Sequence, residues 1–309
     1  MPASRVVGGV LAGLLGIVLY AGQFVITRWS IQRTLSLWDV AALRFAVAGT
    51  LMLPLLIRHG VRDAAGLGWP RAIVISLTVG APYTLVLFAG LTLAPAAHGA
   101  VIISGGTPIM SALLMWRWYG ERLSAARVAG LATIMVGLIL VGWPSLSDGT
   151  RGLVGVGDLV LLGASGLWGT FTALTRRWQV DPLRGAAVVW ALALAYLPLY
   201  LAFAPARLLA APPGEVIFQA AYQGIGVAVL ALFLYTYASR ALGPTRASMF
   251  MPLIPVVAVL LGIPVLDEVP TLVQFAGILM VSAGLALATM ASLAAARSAE
   301  PRASPLHKR

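Results

Sequence analysis

The chain of 309 residues contains no cysteine and few charged residues. The absence of cysteine excludes disulfide bonds, thiolate catalysis and cysteine-ligated metal sites. Charged residues make up only 10% of the chain. A soluble protein carries roughly 25%, because its surface faces water. Hydrophobic residues make up 60% and the mean hydropathy is +0.93, so the composition predicts an integral membrane protein.

The residue patterns of common enzymes and pumps are also absent. The sequence has no His-Glu-x-x-His, no Gly-x-Ser-x-Gly and no P-loop, and no paired carboxylates within its apolar runs. Its three histidines, His59, His98 and His307, are too far apart for metal-ligand spacing. The sequence therefore predicts that the protein is not an enzyme and holds no cofactor or metal.

Ten apolar runs are long enough to cross a hydrocarbon core of about 30 Å as helices that rise 1.5 Å per residue. The runs are continuously apolar and lack the alternation of a membrane β-strand, which predicts an all-α integral membrane fold with ten transmembrane helices. The first run has no cleavage site after it and is interpreted as a retained span. The predicted spans 1 to 10 are 6–27, 38–57, 71–93, 98–116, 124–143, 155–175, 186–204, 216–238, 247–265 and 270–293.

The positive charges predict the orientation of these spans. Of the 21 Lys+Arg, sixteen fall at the termini and the even-numbered connections, and Arg44 lies inside span 2. The other four, at the odd-numbered connections, are Arg28, Arg33, Arg151 and Arg207. The positive-inside rule then places the protein in the cell (inner) membrane with both termini cytoplasmic. This arrangement explains the net charge of +11 without a nucleic-acid partner, and 294–309 is predicted to be a disordered basic cytoplasmic tail.

A shift of 147 residues brings the two halves of the chain into register. The aligned pairs include Pro108 with Pro255, Glu121 with Glu268, Gly130 with Gly277 and Gly137 with Gly284. Thr27-Arg28 matches Thr175-Arg176 at a shift of 148. Because each half holds five spans, an odd number, the halves are expected in opposite orientations. The sequence predicts two inverted five-helix repeats, at 1–144 and 145–293, an architecture of many secondary transporters.

The same positions carry a family pattern. Span 2 contains Leu43-Arg44-Phe45, span 4 contains Pro108, and Gly120-Glu121-Arg122-Leu123-Ser124 and Gly130 follow it. The second half carries Pro255, Asp267-Glu268 and Gly277, but lacks the Gly-Glu-Arg form and has no matching arginine in span 7. Over residues 6–293 the chain resembles the EamA family of the drug/metabolite transporter superfamily. The resemblance implies ten spans, inverted repeats and export of metabolites, with amino-acid exporters prominent among the members.

Uncharged residues within the spans are the candidates for a substrate pocket. An uncharged lining suits neutral or zwitterionic solutes with an apolar part, and suits sugars, nucleotides or polyanions badly. Aromatic residues also form belts at the membrane interface, which is the alternative interpretation for each of them. The candidate substrate-binding residues are Gln23, Tyr83, Ser104, Thr107, Trp168, Tyr235 and Ser248.

Two ionisable residues within the spans have a functional and a structural interpretation each. Arg44 is either a counter-ion for a substrate carboxylate or a side chain that snorkels outward or pairs with a neighbour such as Asp39. His98, near the predicted outer end of span 4, is either a proton site or an interfacial hydrogen-bonding residue. No aspartate or glutamate is expected deep within a span, which favours a facilitated exporter over proton coupling.

Prolines and two glutamates are the candidates for hinges and gates. A proline within a span frees a carbonyl and kinks the helix, so Pro108, Pro252 and Pro255 are predicted to break spans 4 and 9 near the middle of the membrane. Glu121 and Glu268 follow Pro108 and Pro255 by thirteen residues each. They are predicted as gating residues, with helix capping or a local ion pair as the alternative.

These features together predict a secondary transporter. We expect it to export small neutral or zwitterionic metabolites, foremost amino acids, across the inner membrane by alternating access. A proton-coupled drug or metabolite exporter is the alternative, and a non-transporting membrane interaction protein is the third interpretation. The expected partners are the small-molecule substrate and the lipid bilayer, and a homodimer would use Gly9 and Gly13 or the glycines of spans 5 and 10.

Overall fold

The structure, a computed structural model, describes residues 3–147, 152–205 and 207–299. Its regular secondary structure is helical, and ten helical spans are long and apolar enough to cross a membrane. The predicted all-α membrane fold with ten transmembrane helices is thereby confirmed. Spans 1 to 10 are Ser4–Ile31, Leu37–His59, Trp69–Leu93, Ala96–Tyr119, Ala125–Pro144, Gly152–Trp178, Pro182–Phe203, Pro213–Leu242, Arg246–Leu266 and Leu272–Ala294.

The last helix is longer than the sequence predicts. It runs over Leu272–Ala299, so the first part of the predicted disordered tail is helical. Residues 300–309 lie outside the described part of the chain. The extension follows from composition, because Ala-Ala-Ala-Arg continues a good helix-forming sequence beyond the apolar run.

Contacts between span ends define two faces of the bundle. On one face Glu268 contacts Arg28, and Thr34 donates to Glu215 across 2.6 Å. We call this end, which gathers the odd-numbered connections, the Glu268 face. On the other face, Arg176 pairs with Glu121 across 3.2 Å. This end, the Glu121 face, gathers the even-numbered connections, so consecutive spans alternate in direction as predicted.

The third span of each half is irregular at matching positions. Span 3 consists of helices Trp69–Val79 and Ala81–Leu93, interrupted at Gly80, where an added Cβ would meet the Ser76 carbonyl oxygen at 2.5 Å. Span 8 contains a π-helix over Ala220–Leu230, between the α-helices Pro213–Gln219 and Ala231–Leu242. Such π-helical turns often lie at functional sites. Adding 147 to position 80 gives 227, inside the π-helix.

The prolines act differently in spans 4 and 9. In span 9 the chain passes from helix Pro244–Ser248 through a 3₁₀ turn, Met251–Leu253, into helix Ile254–Leu266, so the predicted break is present. In span 4 a single helix, Ala96–Tyr119, continues through Pro108, so the predicted break there is wrong. Span 6 packs closely along this stretch, since an added Cβ at Gly169 would lie 2.9 Å from the Thr107 carbonyl oxygen. Spans 4 and 6 are therefore in close backbone contact beside Pro108.

Spans 5 and 10 touch through their glycines. An added Cβ at Gly130 would lie 2.9 Å from the Gly284 carbonyl oxygen, and one at Gly284 would lie 2.7 Å from the Gly130 oxygen. Gly137 and Gly277 are related in the same reciprocal way, each at 2.7 Å. The backbones of spans 5 and 10 are therefore in close contact at both glycine pairs. These glycines, like Gly9 against Ala241 and Leu242, are used inside the chain and not on a free face for a homodimer.

Candidate functional site

Arg44 lies at the centre of a buried polar cluster within the bundle. It follows the first residue of its helix, Leu37–His59, by seven positions, which places it about 10 Å inside the span. Only 4% of its surface is exposed. Its Nη1 donates to Gln23 Oε1 across 3.1 Å and to Gln223 Oε1 across 3.4 Å. Arg44 thus connects span 1 of the first half with span 8 of the second half.

Arg44 has no acidic partner in the described part of the chain. None of the ion pairs formed by the described residues includes it, and its Nε has no hydrogen-bond partner. The expected neighbour, Asp39, instead accepts bonds from the Ser36 backbone N–H at 2.8 Å, from the Tyr200 hydroxyl and from the Arg207 backbone N–H at 3.1 Å. Arg44 therefore does not pair with Asp39; its neighbours are the amides of Gln23 and Gln223, and its role as a carboxylate counter-ion stays a prediction.

Aromatic side chains surround the guanidinium. Its Cζ lies 5.1 Å from the centroid of the Trp190 ring, within the range of a cation–π contact. Tyr20 and Tyr83 are close enough to interact electrostatically with Arg44. The Tyr83 ring lies 4.9 Å from the Trp168 ring, which places Trp168 in the same cluster. One positive charge therefore lies among rings and amides, an environment that water does not reach freely.

Gln223 belongs to this cluster, although the sequence reasoning did not select it. It is fully buried in the π-helix of span 8, and its Nε2 donates to Thr27 Oγ1 across 2.7 Å. Gln219, one turn earlier, donates to Ser30 Oγ across 2.7 Å. The signal in the sequence was this pair of glutamines, four residues apart on one face of an otherwise apolar span.

The other predicted substrate-binding residues are distributed unevenly around this centre. Thr107 and Ser104 lie three residues apart on span 4, and Thr107 Oγ1 is buried without a hydrogen-bond partner. Tyr235 is close enough to Tyr20 to interact electrostatically. Ser248 ends the short helix Pro244–Ser248 near the Glu121 face, away from the middle of the bundle. The cluster therefore unites Gln23, Tyr83 and Trp168 around Arg44 and leaves Ser248 at one end.

His98 belongs to a second buried cluster, at the Glu268 face. Its Nδ1 lies 2.7 Å from Asp158 Oδ1, and its Nε2 lies 2.9 Å from Gln274 Nε2. His98 is 2% exposed and Asp158 is 8% exposed. His98 thus makes hydrogen bonds two residues after the start of its helix, and its role as a proton site stays a prediction. Asp158, six residues after the start of helix Gly152–Trp178, is a buried acid that the sequence reasoning did not select. Asp158 falls inside predicted span 6, but the sequence gives no indication that it contacts His98, sixty residues earlier.

The two predicted gating glutamates form ion pairs at opposite faces. Glu268 accepts from Arg28 Nε and also from the Ala96 backbone N–H across 2.8 Å. Arg28 Nη1 donates in addition to the Leu91 carbonyl oxygen across 2.7 Å. This network joins span 1, the connection between spans 3 and 4, and the end of span 9 at the Glu268 face. At the Glu121 face, Glu121 contacts Arg127 at 3.0 Å and Arg176 at 3.2 Å.

Comparison with known proteins identifies the fold and the family. A protein of known crystal structure matches over 98% of this chain and all of its own chain, with a TM-score of 0.61 and 20% sequence identity, which supports the fold alone. Uncharacterized transporter YyaM of Bacillus subtilis (strain 168) is 24% identical over 261 residues, which cover 82% of this chain and 84% of that protein. The profile of the EamA-like transporter family matches twice, at residues 7–143 and 155–290. The chain therefore belongs to the EamA-like transporter family and is a multi-pass membrane transporter.

Proposed function

We propose that this transporter carries small zwitterionic metabolites, with amino acids as the foremost class, and that Arg44 binds their carboxylate. The observation that carries the proposal is a buried arginine with no acidic partner among the described residues. An isolated charge in a low-dielectric interior is costly unless an opposite charge reaches it. A carboxylate that arrives with the substrate supplies that charge.

The groups around Arg44 suit the remainder of an amino acid. The Tyr83 and Trp168 rings offer apolar surface, and their faces attract an ammonium group. Thr107 of span 4 has a buried hydroxyl without a hydrogen-bond partner, and we include it as a polar contact of the same site. Because only one cationic group is present, the site favours a solute with a single carboxylate over a nucleotide or a polyanion.

The site also lies where an alternating-access carrier needs it. Gln23 and Arg44 belong to the first half, and Gln223 belongs to the second half, so a bound solute contacts both. In a carrier built from inverted repeats, the halves rock around a site at their interface. With the Glu121 face in the cytoplasm, as the positive charges predict, movement of the solute toward the Glu268 face is export.

The test is flux through proteoliposomes that contain the purified protein. We expect exchange of labelled neutral and aromatic amino acids, and a fall of about 10-fold to 100-fold in Arg44→Gln, because a charged hydrogen bond contributes about 1.5–3 kcal/mol. Arg33→Gln is the matched control, since Arg33 is an exposed arginine whose Cζ lies over the Trp29 ring.

A second comparison separates recognition from folding. Each amino acid is measured beside the amine that lacks its carboxylate. Arg44→Gln should lower exchange of the amino acid and spare that of the amine. An equal loss for both compounds would refute the carboxylate assignment. If the wild-type protein exchanges no amino acid, the substrate belongs to another class of metabolite or drug.

Proton coupling is the second candidate, and one observation favours it. Asp158 and His98 form a buried acid–base pair within the spans, the kind of group that proton-coupled carriers use.

A further inference from the structure

We propose that His98, Asp158 and Gln274 form a proton-binding site that couples transport to a proton gradient. The inference rests on the proposed transport of a solute between the two faces. It assigns the coupling ion, and it gives Asp158 and Gln274 roles that the sequence did not suggest.

The hydrogen bonds around Gln274 fix where the protons lie. The Thr271 backbone N–H donates to Gln274 Oε1 across 2.9 Å, so the amide nitrogen of Gln274 must point to His98. An amide NH₂ group only donates, so His98 Nε2 accepts at 2.9 Å. The ring proton is then on Nδ1, which donates to Asp158 Oδ1. In this arrangement the imidazole is neutral and the carboxylate is charged.

The cluster therefore contains one uncompensated negative charge. Asp158 Oδ2 is buried and has no hydrogen-bond partner, and no lysine or arginine of the described chain pairs with Asp158. A buried carboxylate without a cation is costly. One added proton on His98 Nε2 neutralises the cluster, because imidazolium and carboxylate then form an ion pair.

Binding of this proton rearranges a contact between the two halves. A protonated Nε2 becomes a donor, and it then faces the donor NH₂ of Gln274. The amide must either turn its oxygen toward His98 or move away, and both changes leave the Thr271 backbone N–H, at the start of span 10, without its acceptor. His98 is in span 4 and Gln274 in span 10, so one proton changes the contact between the halves and the cap of span 10 at the Glu268 face.

A path for the proton leads from the Glu268 face. A cavity of about 340 Å³ is lined by His98, Asp267, Glu268 and Gln274. Of the charged groups near it, Glu268 is paired with Arg28 and Asp267 is exposed at the start of the connection. The neighbouring stretches 85–93 of span 3 and 136–144 of span 5 contain no titratable residue. His98 and Asp158 are thus the pair that takes up the proton.

The site is also linked to the ion pair at this face. Glu268 accepts the Ala96 backbone N–H, two residues before His98. Movement at His98 therefore reaches the Arg28–Glu268 pair through one short stretch of backbone. The proposed coupling is antiport, in which the proton enters from the Glu268 side while the solute leaves toward it, with one proton per solute as the expected ratio.

The first test uses proteoliposomes with an acidic interior. In proton antiport, solute accumulates on the side from which protons leave, whatever the orientation of the protein. A difference of one pH unit should accumulate labelled amino acid about tenfold at one proton per solute. His98→Gln and Asp158→Asn should abolish accumulation and retain exchange without a gradient, whereas His59→Gln, a histidine at the other face, should behave as wild type.

Different failures have different meanings. Exchange in the wild-type protein without accumulation in acidic vesicles would overturn proton coupling and leave the proposed function intact. Accumulation that persists in both His98→Gln and Asp158→Asn would overturn the assignment of the site. Absence of any exchange in the wild-type protein would count against the proposed substrate only.

A second measurement needs no substrate. Val141 lines the cavity and is buried, and the chain has no cysteine of its own, so Val141→Cys introduces a single reporter thiol. We expect its maleimide labelling at pH 5.5 to exceed that of the same reporter in the His98→Gln background severalfold, with equal rates at pH 8. Equal rates at both pH values would overturn the proposal.

Discussion

The Arg28–Glu268 and Arg176–Glu121 pairs occupy equivalent positions in the two halves but differ in environment. Each joins an arginine of one half to a glutamate of the other, and the shifts of 147 and 148 residues relate the two. The side chains of Arg28 and Glu268 are 12% and 17% exposed, whereas those of Arg176 and Glu121 are 53% and 25% exposed. Corresponding positions of the two halves therefore form ion pairs that differ in their exposure to solvent.

We propose that this conformation is closed to solute at the Glu268 face. Arg28 and Glu268 have additional backbone partners at Leu91 and Ala96, so their network holds several spans together at that face. Glu121 shares its charge with Arg127 and with a half-exposed Arg176. In the opposite conformation of an alternating-access carrier, we expect the Arg176–Glu121 pair to be the buried one.

The largest expected effect comes from Glu268→Gln. Removal of one charge leaves Arg28 partly buried without its acid, at a cost of about 2 kcal/mol for a pair that keeps some contact with water. This energy is about a thirtyfold shift toward opening of the Glu268 face. The measurement is labelling of a single Ser104→Cys reporter by an impermeant maleimide from that side. Glu215→Gln, an acid on the same face, is the control, and an unchanged rate in Glu268→Gln would contradict the sealing role.

Glu121→Gln is expected to have a smaller effect. Exposed ion pairs contribute about 0.2–1 kcal/mol, so labelling of the same reporter from the Glu121 face should change less than about fivefold. A change as large as that of Glu268→Gln would show that the two faces are closed to the same degree. It would contradict the inference that the two ion pairs contribute unequally.

A change in ionic strength should have the smallest effect on the labelling rate, and it should affect the two faces differently. Between 0.1 M and 1 M salt the screening length falls from about 10 Å to about 3 Å. Labelling of Ser104→Cys from the Glu121 face should rise by up to about twofold, because Arg176 is half exposed. From the Glu268 face the rate should stay constant, and a rise there would mean that water reaches the Arg28–Glu268 pair.

The sequence predicted the spans well and their irregularities poorly. An apolar run of about 20 residues predicts a span directly, because the thickness of the hydrocarbon core sets the length of the helix. The interruption at Gly80 and the π-helix at Ala220–Leu230 are changes in backbone hydrogen bonding, which the hydropathy of an apolar run does not record. Pro108 shows the same limit, since its helix stays continuous where a proline alone predicts a break.

The site was predicted in part for a similar reason. Arg44 stands out because an arginine within an apolar run is rare. Its partner Gln223 lies 179 residues away, and the His98–Asp158 contact spans sixty residues. Such contacts depend on how the two halves pack against each other, and a single sequence contains no information on the distance between two positions. The sequence places Asp158 near the start of span 6, but it gives no indication that the side chain is buried.

The glycines shared by spans 5 and 10 have a consequence for the speed of movement. Side chains that interlock must separate before one helix turns against another, and that separation is an activation barrier. At Gly137, Gly277 and Gly284 the backbones approach closely, and Val281, Val141 and Ile134 of the facing helix pack into the space beside these glycines. Rotation of span 5 against span 10 would have to withdraw these side chains, so we expect the two helices to move as one unit.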